Sequence, residues 1–110
     1  MSDAPFPYKG PEDLRQPVTA ALSRVVDPEV ALNIVDIGLV YGVRINADRL
    51  ELQLTMTSAA CPVADVIVDD AAAELERVLP ADIAVEVELV WEPAWTPERM
   101  SERARRFMRW

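Results

Sequence analysis

A chain of 110 residues with a net charge of −8, about half of it apolar and with only three glycines, is a folded protein with one modest core, not a disordered or fibrous one. The acidic balance repels phosphate backbones and argues against nucleic acid as a partner. No apolar run approaches the roughly 18 residues that a membrane span needs. The start, MSDAPFPYKG, lacks a basic segment followed by an apolar one, and a lone cysteine, Cys61, makes no internal disulfide, so the expected setting is the reducing cytoplasm.

Residues 1–15, rich in proline, glycine and charge, are expected to form a flexible N-terminal arm ahead of a single domain over 16–110. From Pro17 the pattern turns helical. Val18, Ala21, Leu22 and Val25 share one face, Pro17 suits a first helical position, and Asp27-Pro28 ends the helix. Two apolar, β-branched runs, NIVDIGLVYGVRI and RLELQLTMT, flank the short polar turn NAD and predict a β-hairpin. Leu50, Leu52, Leu54 and Met56 form its core face, against Glu51, Gln53 and Thr55 on a wetter one. Gly38 and Gly42 fit a turn and a kink or bulge.

A second helix opens at Pro62 with the stripe Val63, Val66, Ile67, Ala71, Leu75 and Val78, and stops at Leu79-Pro80. Residues 83–90 alternate again and predict a third strand. Past the proline-restricted WEPAW link, whose tryptophans are expected to pack rather than bind, Thr96 caps a last helix with Pro97 at its first position. The order predicts an α+β fold: a two-layer α-β-β-α-β domain with a three-stranded mixed sheet and an extra C-terminal helix. Its second and third strands are parallel across a helical crossover. Arg99, Arg103, Arg105, Arg106 and Arg109 fall in the last twelve positions; they form a solvated helix face or dock on an acidic partner or a second copy.

Cys61 in TMTSAACP stands at the expected N-terminus of the second helix, where unpaired N–H groups and the helix dipole favour thiolate. Asp65 competes for that field, and no Lys or Arg stands beside the thiol, so the activation is modest. A buried, inert thiol is the alternative. The small neighbours Ala59 and Ala60 leave a thiol reachable and favour function. A lone cysteine without any histidine cannot by itself hold a cluster or structural zinc, which take about four such ligands. A Cys–His hydrolytic pair and a CxxC redox pair are both absent, so no enzyme activity is expected. Asp27 and Asp36 fit local backbone hydrogen bonding in turns, whereas Glu29 has no turn role of its own.

DPEVALNIVDIGLVYGV, TMTSAACP and VELVWEPAWTPERMSERAR, in this order over residues 17–106, resemble the metal–sulfur cluster biosynthesis family of SufT-like and PaaD-like proteins. The resemblance implies the α-β-β-α-β fold and help in maturing iron–sulfur client proteins. It puts the family cysteine on Cys61, the acidic motif on Asp27 and Glu29, the turn aspartate on Asp36, and the strand-end threonine on Thr57. Many relatives carry proline and glycine where this chain has Ala59 and Ala60. Without the extra cysteine-bearing tail of PaaD-like proteins, the chain leans to the SufT-like role.

The first expectation is therefore an assembly or targeting factor. It binds iron or an iron–sulfur cluster transiently through Cys61, as a metal ligand shared with a partner, and hands it to client proteins or other assembly factors. A homodimer is a candidate arrangement. The second is an adaptor without metal, such as a PaaD-like partner of an oxygenase complex, in which Cys61 is structural.

Overall fold

The computed structural model describes residues 6–28, 31–56 and 64–108. Their elements are β1 (Tyr8–Lys9), α1 (Glu12–Leu22), β2 (Val26–Asp27), β3 (Leu32–Asn33), α2 (Ile34–Ile37), β4 (Val40–Asn46), β5 (Arg49–Leu54), α3 (Ala64–Val78), β6 (Ala84–Leu89), a 3-10 turn (Pro97–Arg99) and α4 (Glu102–Met108). The two-layer α+β expectation holds. The main sheet has the order β1-β4-β5-β6, and β2 and β3 make a small antiparallel pair. β4 and β5 form the expected hairpin, and β5 runs parallel to β6. The sheet has four strands rather than three because Tyr8 and Lys9 add a short parallel edge opposite Val43 and Arg44.

For the described residues 6–15 that edge strand departs from the loosely attached arm expected over 1–15; residues 1–5 lie outside the described residues. Phe6 is 7% exposed and belongs to the core. The Val43 N–H donates to the Pro7 carbonyl at 2.9 Å. α1 starts at Glu12, so Pro17 lies inside the helix and not at its start. Leu14, packed against the core, is the reason: it extends the stripe of Val18, Ala21 and Leu22 by one turn toward the N-terminus. Pro17 forgoes one bond to the carbonyl of Asp13, an exposed residue in the first turn, where the loss of a donor costs little because the site is open to solvent. Glu12 and Asp13 suit the positive end of the helix. The helix ends at Leu22, before Asp27-Pro28, and Asp27 lies in β2.

The core forms where the inward faces of β4 and β5 meet the helices. Val43, Ile45, Leu50, Leu52 and Leu54 pack with Val18, Ala21 and Leu22 of α1 and Ile67, Ala71 and Leu75 of α3. Period-two alternation on β5 and period-3.6 spacing on α3 put these residues on facing surfaces. The opposite face of the hairpin is polar, with Arg44 paired to Glu51 across the strands at 2.7 Å. Gly42 sits at the register shift after Val40, the bulge expected of it. Arg24, two residues past the end of α1, ties the chain there to Glu74 of α3 at 2.9 Å; this hydrogen bond, with Arg77 nearby, holds the Glu74 carboxyl below the usual carboxylate range.

Val66 departs from the expected stripe: it is 49% exposed, on the flank of α3. The last helix departs too. Thr96 does not cap it; its carbonyl accepts from the Arg99 N–H in the 3-10 turn, and the Ser101 hydroxyl caps α4 by accepting from the Ala104 N–H at 3.1 Å. The break buries both Met100 and Ala104.

Candidate functional site

Asp27 and the IVDIG segment belong to one small structure. Val26 pairs with Asn33 and Asp27 with Leu32. The Asp27 carbonyl accepts from the Ala31 N–H at 2.8 Å, and Ala31 takes a φ of 61°, which a side chain rarely adopts. Asp27 itself is 1% exposed, an interior residue.

IVDIG, read from sequence as part of a strand, is instead the single helical turn α2. Its ends explain the difference. Asn33 caps it, accepting from the Asp36 N–H at 2.9 Å, while the Asn33 amide donates to the Asp36 carboxylate at 2.8 Å. At the other end Gly38 takes a left-handed φ of 86° and turns the chain into β4. The carbonyls left over by so short a helix are taken from far along the chain. The Ser101 N–H donates to the Asp36 carbonyl at 2.7 Å, and the Trp95 indole N–H donates to the Ile37 carbonyl at 2.8 Å. Trp95 thus packs, as expected. The Asp36 carboxylate binds a side chain rather than local backbone, and Arg103 approaches it at 4.0 Å.

Asn33→Ala removes the cap and the amide that holds Asp36. The expected loss is about 1–2 kcal/mol in urea unfolding, and Asn33→Ser, which keeps a capping oxygen, recovers most of it.

The strand end leading toward Cys61 is buried. Thr55, expected on the wetter face, is 1% exposed; its N–H donates to the Leu39 carbonyl at 2.9 Å. β5 ends at Leu54, so the alternation that would have turned Thr55 to water stops one residue earlier. Its hydroxyl has no partner among the described residues. Thr55 and Asn33 were missed in the sequence; a cap residue three positions before Asp36 was the available signal for Asn33. Glu29, Thr57, Cys61 and Pro62 lie outside the described residues. Among the described residues no three His, Cys, Asp or Glu side chains gather as a metal-binding group, so Asp27 and Asp36 do not form one with their described neighbours.

A family model described as iron-sulfur cluster assembly protein matches residues 15–89, more than half of the chain. The chain belongs to the iron–sulfur cluster assembly protein family. The region matched in this iron–sulfur assembly protein contains the acidic turn, α2, the hairpin and the whole of α3 and β6. The chain is 42% identical over 95 residues to the Fe-S protein maturation auxiliary factor YitW of Bacillus subtilis, covering 86% of this chain and 92% of that one. It is 37% identical over 82 residues to the Fe-S protein maturation auxiliary factor SufT of Staphylococcus aureus, covering 74% and 92%. The SufT-like side of the resemblance is the one these relatives bear out. Among solved structures, a domain of unknown function from Bacillus anthracis superposes with a TM-score of 0.82 at 38% identity, over 88% of this chain and 92% of that one.

Proposed function

We propose that this chain is a non-enzymatic maturation factor that holds iron or an iron–sulfur cluster transiently at Cys61 and passes it to client proteins. The observation that carries this reading is the 42% identity, over nearly the full length of both chains, to a factor named for Fe-S protein maturation. The cluster is cargo. One thiolate offers one of about four ligand positions, so a second copy, a client or another assembly factor completes the set. An incomplete ligand set exchanges readily, which suits transfer better than storage.

Glu29 and Thr57 support the cysteine in this proposal. Asp27 and Asp36 serve through the frame they occupy, the β2–β3 pair and the one-turn helix α2. No helix among the described residues is long and apolar enough to cross a membrane, in keeping with a cytoplasmic place of work.

The test is anaerobic reconstitution of the pure protein with iron and sulfide, wild type beside Cys61→Ala, together with client-enzyme activity in strains carrying each. The expected result is a visible chromophore on wild type only, unchanged thermal unfolding of the variant, and a several-fold drop in client activity. A Cys61→Ala strain with normal client activity would overturn the proposal.

A further inference from the structure

The charge of this chain is divided along its length. The last twelve residues carry five arginines and one glutamate, a net +4, which leaves −12 on residues 1–98. Two of the arginines serve the fold. Arg99 lies over the Tyr41 ring at 4.4 Å, and Arg105 donates to the Glu98 carbonyl at 2.9 Å. Two others do not. The side chains of Arg103 and Arg106 are 83% and 77% exposed, and among the described residues their ion-pair contacts are long, 4.0 Å to Asp36 and 3.8 Å to Glu102. Phe107, beside them, is 62% exposed. α4 is anchored through Ala104, so Arg103, Arg106 and Phe107, at i, i+3 and i+4, form one flank turned to solvent.

α3 presents the complement. It is anchored through Ile67, Ala71 and Leu75, which leaves Val66, Asp69 and Asp70 on an outer flank at the same i, i+3, i+4 spacing, with the small Ala73 one turn further on. One flank has two cations and an apolar ring; the other has two anions and an apolar side chain. Arginine and aromatic residues together are the composition of interface anchors, and opposite charges fix orientation and partner choice.

We propose that the flank of Arg103, Arg106 and Phe107 on α4 docks on the flank of Val66, Asp69 and Asp70 on α3 of a second copy of this chain. Matching sign and spacing within a single sequence select a second copy over an unrelated acidic protein. If both seams close at once the pair is two-fold and isologous; if only one closes, the same contact propagates head to tail. This inference rests on exposure and charge and does not depend on the proposed function.

The experiment is light scattering on gel-filtered protein at low and high salt. Wild type is expected to run as two or more chains at low salt and to fall to one chain at high salt, because exposed ion pairs are screened. Arg103→Glu with Arg106→Glu, and separately Asp69→Lys with Asp70→Lys, are each expected to run as one chain with wild-type circular dichroism. Mixed in equal amounts they should associate again, since every seam between the two variants then joins opposite charges. A wild type that stays one chain at low salt overturns the proposal without any variant. Variants that keep the wild-type mass, or a mixture that stays monomeric, overturn it equally.

Discussion

A chain that begins at Pro11 is expected to lose about 3–5 kcal/mol of stability against urea, because it lacks both the β1 edge and the buried Phe6. Phe6→Ala alone, which leaves a cavity among core side chains, accounts for about 3 kcal/mol of this. The truncation also removes the Tyr8 ring that lies 5.1 Å under the Arg15 guanidinium, and the Pro7 carbonyl that takes the Val43 N–H. A change below about 0.5 kcal/mol, the size of an ordinary surface substitution, would mean that the segment is an appendage after all.

Gly38→Ala is the second large effect. At a φ of 86° an L side chain is strained, at a cost of about 1–3 kcal/mol. Space is lacking as well. An added Cβ would collide with the backbone carbonyl oxygen of Arg99 and stand 2.7 Å from its carbonyl carbon. Neither atom moves without shifting the 3-10 turn that precedes α4. The expected loss is about 3–4 kcal/mol, with the fluorescence of Trp95 altered because its indole binds the helix that Gly38 ends. Gly42→Ala is the contrast. Its nearest neighbour, the Gln53 side chain, stands at an ordinary 3.5 Å, so the loss stays within about 1 kcal/mol. Equal losses at the two glycines would show that the clash with Arg99 is relieved elsewhere.

The larger elements were legible because their residues repeat often enough to show a period. β5 alternates through Leu50, Leu52 and Leu54, and α3 places Ile67, Ala71 and Leu75 on one side. The smaller ones were not. Tyr8 and Lys9 are two residues, too few for any period, and their pairing with β4 is decided more than thirty residues away. IVDIG is rich in β-branched residues and looks like a strand; the Asn33 cap and the distant donors of Trp95 and Ser101 make it a turn of helix. At α1 a proline that suits a helix start lies inside the helix, because Leu14 continues the stripe. Asp27 and Asp36 were named from sequence without their surroundings, since burial and the Asn33 contact depend on how β2, β3 and α2 fold together.

The bond from the Trp95 indole to the Ile37 carbonyl spans 58 residues. During synthesis, therefore, a nascent chain that has made its hairpin and α3 still lacks the donors that hold α2 in shape. α2 takes its final form only once residues 95–101 have left the ribosome. α2 is thus a late element of the fold, shaped by residues made after every strand of the main sheet.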